Sequence, residues 1–210
     1  FFWHIFDTFN IHSYFKIKKI LRREKPDIVH THNLKGLGYL IPLAIRSLGI
    51  RHVHTLHDVQ LVNPSGIIIK GQEEPGGFSG FLISLYSRIC RGLFGSPEVV
   101  ISPSKFLLSF YQARGFFPNS RFAIIPNPVI KGGESPPNSK NGFTFLYLGQ
   151  IEEHKGVLFL IDIFKQLAEA ESARLLIVGA GSKINEARRR AEGCPQIIFR
   201  GKVELEALSE

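Results

Sequence analysis

The chain has 210 residues, of which 44% are hydrophobic and 21% are charged. This composition excludes a disordered tail and supports one large or two small globular domains with a hydrophobic core. The 26 lysines and arginines outnumber the 18 acidic residues and give a net charge of +8. An anionic partner is therefore favoured, whether nucleotide phosphates, nucleic acid or an acidic membrane surface.

Several features of the sequence predict a cytosolic protein. The apolar stretch at 77–95 is interrupted by Arg88 and Arg91, so it falls short of the ~18 uncharged residues of a transmembrane helix. The two cysteines, Cys90 and Cys194, stand in unrelated contexts and are expected to be reduced and buried. The chain has no methionine and no signal-peptide pattern, and we interpret it as a fragment without its natural N-terminus.

Helices and strands alternate along the first 130 residues. The predicted elements are a basic helix at 9–24, a short strand after Pro26, a helix at 36–48, a strand at 50–58, a helix over 78–93, and strands at 97–104 and 121–128. Two serine residues flank a proline after the third strand, and we predict Ser102 as N-cap and Pro103 as the first position of another helix.

The spacing of apolar residues predicts which faces of the helices are buried. In the first helix the inner face is expected to contain Phe9, Ile17, Ile20 and Leu21. In the helix over 78–93, apolar residues that include Phe81 and Leu85 recur at spacings of three and four. Both helices are therefore predicted to pack against a sheet.

A segment rich in Gly, Pro, Ser and Asn at 131–142 is interpreted as an interdomain linker. Beyond it we predict strands at 143–149, 173–179 and 196–201, and helices at 155–169, 182–193 and from 203 onward. Strands separated by helices predict parallel sheets, so we expect an α/β fold with two Rossmann-like, doubly wound domains. These occupy 1–130 and 143–210, and both are interpreted as incomplete in this chain. Ligands bind such folds at the carboxyl ends of the strands.

Polar residues follow the first of these strands. His30 and His32 alternate onto one face of the strand, and Asn33 lies just past its tip. A His-x-His pair on a strand is a pattern that zinc sites use. No cysteine stands near this pair, so the pattern alone does not establish a metal site.

The second strand separates its histidines into two groups. His52 and His54 lie on the opposite face from His57, so we expect no metal site. His52, His54 and His30 are expected to pack or form hydrogen bonds inside the sheet. His57 leaves the strand where substrates bind, beside Asp58, which can orient its imidazole. We therefore interpret His57 as a candidate catalytic residue.

Two turns of the second domain are candidate phosphate sites. In VGAGS, Gly179 and Gly181 would let a phosphate approach the backbone near a helix N-terminus, although Ile184 replaces the third glycine of the dinucleotide fingerprint. In GQIEEHKG, Lys155 is predicted in the first turn of a helix, where a bound phosphate would offset its unfavourable interaction with the helix dipole. A turn without a ligand explains each pattern equally well.

Six segments together resemble glycosyltransferase family 4, the retaining, sugar-nucleotide-dependent enzymes of GT-B fold. They are, in chain order, KPDIVHTHN, VHTLHD, VISPSKFLLSFYQARGFFPNSRFAIIPNPV, FLYLGQIEEHKGVLFLIDIFKQL, ARLLIVGAGS and IIFRGKV. The resemblance covers most of residues 26–208. It implies transfer of a sugar from a nucleotide-sugar donor to a glycan or lipid-linked acceptor, with the donor held mainly by the C-terminal domain.

The resemblance also implies roles for individual residues. It places Gln150 and Lys155 at the donor diphosphate, Gly179 and Gly181 near the nucleotide, His57 near the transferred sugar, and His32, Asn33 and Asp58 on the acceptor side. Enzymes of this family use no metal and no other cofactor, because positive charge and helix dipoles stabilise the leaving diphosphate.

Three departures from the family pattern stand out. Gln150 replaces the usual arginine, so an uncharged amide stands where a guanidinium is expected and Lys155 would bear more of the phosphate charge. Ile130 replaces an acidic residue. The two glutamates that contact donor sugar and ribose in the family would come after Glu210, so we expect the isolated chain to be inactive.

Two other functions are compatible with the sequence. A GT-B-like sugar-nucleotide epimerase would share the fold and need no acceptor. A nucleic-acid-binding module would fit the net charge, but the basic residues are dispersed and no nucleic-acid-binding motif is present, so we expect no nucleic-acid partner.

A local basic group in the first helix is compatible with contact with an anionic membrane surface. It consists of Lys16, Lys18, Lys19, Arg22 and Arg23, preceded by Phe1, Phe2, Trp3, Phe6 and Phe9. A solvated helix face over a buried aromatic cluster is the alternative, and the sequence favours it. The expected location is therefore cytoplasmic, and peripheral to the inner face of the membrane only if this helix docks there. The expected role is in the biosynthesis of cell-envelope polysaccharide.

Overall fold

The computed structural model describes residues 8–68, 77–128, 143–168 and 173–203. The chain divides into two compact units, Phe1–Pro128 and Val129–Glu210. The linker predicted at 131–142, nearly all of the helix predicted after residue 203, and the aromatic residues before Thr8 lie outside the described residues.

The described residues of the first unit form a four-stranded parallel sheet whose strands are connected through helices. Its elements are α1 (Ile11–Glu24), β1 (Ile28–Thr31), α2 (Ile41–Ser47), β2 (Arg51–Thr55), α3 (Gly77–Phe94), β3 (Val99–Ser102), α4 (Lys105–Gln112) and β4 (Arg121–Ile124). The strands pair in the order β1-β2-β3-β4. Since all are parallel, the residues that follow β1 and β2 meet at one edge of the sheet.

The second unit repeats this arrangement on a smaller scale. Its elements are β5 (Phe143–Leu148), a 3₁₀ turn (Glu153–Lys155), α5 (Val157–Ala168), β6 (Ala173–Val178), α6 (Ile184–Ala191) and β7 (Ile197–Gly201). The three strands are parallel, in the order β5-β6-β7. The predicted alternation of helix and strand, and the two parallel α/β sheets, are thus confirmed.

Each unit has its own hydrophobic core. The first is built around buried aromatic rings from the helices and loops beside the sheet, Tyr39, Phe94, Tyr111, Phe116 and Phe117. The second is built from fully buried aliphatic residues, Ile151, Val157, Ile161, Leu175 and Ile177. Burial of a side chain of this size stabilises the fold by about 1.5–3 kcal/mol. Both cysteines are buried and free, as expected.

Glycine geometry and capping move several helix starts from their predicted positions. The helix predicted at 36–48 begins only at Ile41, because Gly36 and Gly38 adopt positive φ angles of 82° and 115°. The predicted N-cap at Ser102 is wrong, since Ser102 is the last residue of β3. Ser104 caps α4 instead, and its hydroxyl accepts a hydrogen bond from the Leu107 amide at 3.2 Å.

Some apolar residues predicted to face inward are exposed. In α1 Leu21 is buried, but Phe9, which lies before the helix, is 47% exposed. In α3 Cys90 and Phe94 are buried, whereas Phe81 is 63% exposed. The apolar stripe of each helix is wider than the surface it packs against, so periodicity alone overestimates the buried face.

The apolar strand β5 is more exposed than its sequence predicts. Its residues FTFLYL are typical of a strand buried on both faces. Phe143 is nevertheless 74% exposed and Leu146 61% exposed, because β6 is the only strand that pairs with β5 among the described residues. No helix formed by those residues has both the length and the apolar character needed to cross a bilayer.

Candidate functional site

Three histidines follow one another at the carboxyl ends of β1 and β2. The rings of His30 and His32 lie on one face of the strand, with centroids 4.4 Å apart, as strand alternation predicts. His32 Nδ1 and His57 Nε2 share a hydrogen bond of 2.9 Å. His57 is exposed, so one edge of its ring is held by His32 while the rest of the ring is open to a ligand.

The other two histidines of β2 have a structural role. His52 Nε2 and His54 Nδ1 lie 2.7 and 2.8 Å from the hydroxyl of Thr31, all three residues being buried. Burial lowers the pKa of His52 to about 4 and that of His54 to about 3, so both imidazoles are neutral at pH 7. The expectation that these two residues form hydrogen bonds inside the sheet is confirmed.

His30 follows that expectation in part. It forms a 2.7 Å hydrogen bond with the hydroxyl of Thr55 on the neighbouring strand, but its side chain is exposed. Partial burial and the neighbouring His32 lower its pKa. Over residues 8–68, 77–128, 143–168 and 173–203, no three His, Cys, Asp or Glu side chains converge in a way that could hold a metal ion.

The hydroxyl group of a buried tyrosine forms two hydrogen bonds with the backbone of the loop after β2. Tyr111 donates its hydroxyl proton to the carbonyl oxygen of Asp58 at 2.9 Å and accepts from the amide of Leu61 at 3.3 Å. The Asp58 carboxylate accepts from the Gln60 amide at 2.8 Å and from Asn33 Nδ2 at 3.4 Å. These contacts bring Asn33 and Asp58 together, and they leave the orientation of His57 to His32 rather than to Asp58.

The space beneath these loops is small. A cavity of about 20 Å³ is lined by residues that include Thr55, His57, Asp58 and Tyr111. That volume holds one water molecule but no sugar. Any ligand of His57 therefore has to approach from its exposed side.

The carboxyl ends of the three strands in the second unit are joined by backbone hydrogen bonds. The Gly149 amide donates to Val178 O at 3.1 Å, and the Gly179 amide donates to Gly201 O at 2.8 Å. These three strand ends border a concave surface that encloses a volume of about 430 Å³. Its lining consists of Leu148, Gly149, Gln150, Val178, Gly179, Ala180, Lys202 and Val203. A volume of this size is within the range of small-molecule sites.

The two glycines of VGAGS are required by loop packing. Gly179 has a φ of 144°, and a Cβ there would collide with the carbonyl oxygen of Gly149. A Cβ on Gly181 would lie 2.7 Å from the backbone nitrogen of Ile151 and closer still to its carbonyl group. The close approach of the β5 and β6 loops thus explains both glycines without a ligand, and of the two only Gly179 lines the concave surface.

Of Gln150 and Lys155, only Gln150 lines the concave surface. Gln150 is exposed on the concave surface, and its carbonyl oxygen accepts the Tyr147 hydroxyl proton at 2.7 Å. Lys155 was predicted in the first turn of a helix, but it lies in the preceding 3₁₀ turn. Gly156, with a φ of 74°, separates this turn from α5. Lys155 is exposed and is not one of the described residues that line the surface.

Glu152 was missed by the sequence analysis. Its carboxylate accepts hydrogen bonds from the Ser182 amide at 2.8 Å and from the Ser182 hydroxyl at 2.6 Å. These bonds lower its pKa. Glu152 therefore binds two donor groups of the last residue of VGAGS, a turn that is a candidate phosphate site in the sequence. No local sequence pattern identifies such a contact, because the two residues are 30 positions apart.

Comparison with known proteins identifies the class to which this fold and these strand-end surfaces belong. Residues 2–130 match the family described as Glycosyltransferase Family 4, and residues 142–210 match the family described as Glycosyl transferases group 1. Together with the structural likeness below, these matches define a two-unit α/β protein of the GT-B glycosyltransferase class. The chain belongs to glycosyltransferase family 4, as the order of its motifs predicted.

Two curated relatives are similar to this chain over part of their length. The chain is 25% identical over 203 residues to an uncharacterized 42.6 kDa protein of the cps region of Klebsiella pneumoniae, covering 97% of this chain and 52% of that protein. It is 26% identical over 152 residues to the lipopolysaccharide 1,2-N-acetylglucosaminetransferase of Salmonella typhimurium, covering 66% of this chain and 39% of that enzyme.

A solved structure shows the same fold. The apo form of the lipopolysaccharide outer core galactosyltransferase WaaB superposes with a TM-score of 0.59 and 16% identity, covering 93% of this chain and 49% of that one. The GT-B fold class expected from the sequence is thereby confirmed. The chain spans about half the length of the curated relatives it matches, 52% in one case and 39% in the other.

Proposed function

We propose that the whole protein is a retaining glycosyltransferase that moves a sugar from a nucleotide-sugar donor to a glycan or lipid-linked acceptor. The observation that carries this proposal is the concave surface at the carboxyl ends of β5, β6 and β7, in the unit that matches the group 1 glycosyltransferases. Ligands of doubly wound folds bind at that edge. Two relatives, from the cps region and from lipopolysaccharide synthesis, support a role in cell-envelope polysaccharide.

The donor is proposed to bind with its nucleotide on this surface. Gln150 and Gly179 line it, while Gly181 holds the loop that forms one of its sides. Lys155 is proposed to approach the diphosphate from the neighbouring 3₁₀ turn. Positive charge and backbone amides would stabilise the leaving diphosphate, so the proposed reaction needs no metal or other cofactor.

His57 is proposed as the catalytic residue of the first unit, with His32, Asn33 and Asp58 on the acceptor side. Support comes from the geometry at the ends of β1 and β2, where His32 holds His57 and Asn33 contacts Asp58. An imidazole whose second nitrogen has a fixed partner is held in one orientation, which a contact to a reacting sugar requires.

The test uses the full-length protein with UDP-, GDP- and ADP-hexoses, in the presence and absence of polyprenyl-diphosphate-linked saccharides and free oligosaccharides. Transfer of the sugar, with the anomeric configuration of the donor kept in the product by NMR, is the expected result. Epimerisation of a nucleotide sugar without any acceptor would assign a GT-B-like epimerase instead. A product of inverted anomeric configuration, whether formed by transfer or by hydrolysis, would contradict the retaining mechanism.

We further propose that α1 rests on an anionic membrane surface, at the cytoplasmic side. Basic and apolar residues recur at spacings of three and four along one face of the helix, where Lys18 is half-buried and the others are exposed: Ile11, Phe15, Lys18, Lys19 and Arg22. Ile11 and Phe15 are 61% and 64% exposed. Apolar side chains beside a cationic stripe match the interface of a bilayer that contains anionic lipid.

Vesicle co-sedimentation of the full-length protein tests this second proposal. Binding to phosphatidylglycerol vesicles is expected to exceed binding to phosphatidylcholine vesicles and to fall in a Lys19→Gln/Arg22→Gln variant. A matched variant, Arg51→Gln/Lys105→Gln, removes the same number of exposed charges outside α1 and should retain binding. Equal loss in both variants would indicate attraction by net charge alone and would contradict a role for α1.

A further inference from the structure

The concave surface at the carboxyl ends of β5, β6 and β7 contains a cationic residue to which the resemblance to glycosyltransferase family 4 gives no role. Lys202 directly follows β7, and it is the one charged side chain among the eight described residues that line the concave surface. The others are apolar residues, glycines and Gln150, whose amide is neutral. A nucleoside diphosphate that bound there would meet backbone groups, one amide and one ammonium group.

Lys202 is positioned by the backbone at the end of β7. The carbonyl oxygen of Gly201 accepts a hydrogen bond from the Gly179 amide at 2.8 Å, which ties the end of β7 to the glycine turn after β6. Gly201 has a φ of 73°, in the left-handed region that glycine adopts readily. This turn leads the chain out of the strand and places Lys202 at the rim beside Gly179 and Gln150.

The other charged groups near this surface are bound to one another or lie outside its lining. The Lys183 ammonium lies 3.0 Å from the Glu186 carboxylate and 3.5 Å from the Glu153 carboxylate. The amide and the hydroxyl of Ser182, just before α6, are bound by Glu152. Lys155 lies in the 3₁₀ turn and is not among the residues that line the surface, so in the proposed complex it would approach the diphosphate from outside the lining. A phosphate on the concave surface therefore has Lys202 as its nearest source of positive charge among the described lining residues.

We propose that Lys202 binds the diphosphate of the nucleotide-sugar donor and supplies the charge that Gln150 lacks. The inference rests on the proposed function, since it assumes that a nucleotide sugar occupies this surface. An ammonium group donates charge-assisted hydrogen bonds to phosphate oxygens, and these are stronger than bonds from a neutral amide. Lys202 is thus a binding residue that acts on the leaving group of the transfer reaction.

Calorimetric titration of the full-length protein tests the proposal. The probes are UDP, GDP and ADP, together with uridine, guanosine and adenosine, which lack phosphate. For the diphosphate that binds, Lys202→Gln is expected to weaken affinity about 10-fold, the lower part of the range for bonds to charged groups, because the residue is exposed. Affinity for the matching nucleoside should not change.

Two further variants provide controls. Arg200→Gln removes the same charge two residues away, at an exposed position outside the lining, and should leave diphosphate affinity unchanged. Gln150→Arg, combined with Lys202→Gln, places a cation on the same surface and should restore most of the lost affinity. Restoration by a residue on a different strand end would be hard to reconcile with a purely structural effect of Lys202.

The outcomes separate this inference from the proposed function. If the wild-type protein binds a nucleoside diphosphate and Lys202→Gln binds it equally well, Lys202 has no such role and the proposed function stands. If Lys202→Gln loses diphosphate and nucleoside affinity together, its effect is structural and the inference is likewise wrong. If the wild-type protein binds no nucleotide and no nucleotide sugar, both proposals fail.

Discussion

Substitution of Gly181 by alanine is expected to destabilise the second unit by about 2–3 kcal/mol. A Cβ at this position would lie 2.6 Å from the carbonyl carbon of Ile151, whereas real Cβ atoms essentially never approach within 3.0 Å. The β5 loop therefore has to move by at least roughly 0.4 Å. Two backbone hydrogen bonds of Ile151 would be strained, with Ala180 at 2.9 Å and with Lys183 at 3.0 Å. Each contributes about 1 kcal/mol, and overpacking adds a similar amount.

Amide hydrogen exchange in the full-length protein measures this effect locally. The Leu175 and Ile177 amides of β6 report opening of the unit, and they should exchange about 30- to 150-fold faster in Gly181→Ala. Gly193→Ala is the control for backbone strain without a steric clash. A Cβ at Gly193 meets no atom within 4 Å, but the residue has a φ of 80°. We therefore expect this substitution to destabilise the unit by about 1–2 kcal/mol through strain alone.

Two results would contradict this reasoning. Unchanged exchange in Gly181→Ala would show that the loops are not packed as closely as the structure indicates. Normal exchange combined with loss of nucleoside diphosphate binding would show that Gly181 acts through a ligand rather than through loop packing.

Three further outcomes are expected. Glu152→Gln should accelerate exchange of the Ser182 amide, because only the carboxylate holds the loop. In the wild-type protein the same acceleration should occur at low pH, as the pH falls through the pKa of Glu152, which is lowered below its ordinary value of 4.5. The urea midpoint of the first unit should fall as the pH decreases from 6.5 towards 3, because His54 takes up a proton in the unfolded chain but not when it is buried in the fold. His54→Asn should make the midpoint depend less on pH. In steady-state kinetics of the full-length protein, His57→Ala should lower kcat about 100-fold, and His32→Gln about 10-fold with donor KM unchanged, because His32 only orients His57.

Local patterns predicted the secondary structure well where one residue type has one physical meaning. The alternation of apolar strands with amphipathic helices located all seven strands of the described residues, and the strand tips after β1, β2 and β5 were selected from the parallel-sheet rule. The start of α4 was misplaced because Ser102 and Ser104 both fit a cap before a helix, and only backbone geometry distinguishes them.

The candidate sites were predictable only in part. The sequence predicts that His57 and Asp58 leave β2 at the carboxyl edge of the sheet. The residues they contact, His32 and Asn33, depend on the register of β1 against β2. The cation at Lys202 had a sequence signal, a basic residue directly after a strand, which was not used. The contact between Glu152 and Ser182 had no such signal.

The fold class and the family follow from the sequence alone, because hydrophobic periodicity, glycine turns and motif order are local properties of the chain. Which side chains contact one another depends on the tertiary structure. Residues 25 positions apart form the pair of His32 and His57, and residues from separate strand ends bring Gln150 and Lys202 to one surface. Such contacts depend on strand register and on how closely loops approach, which arise from packing of the whole unit rather than from any local pattern.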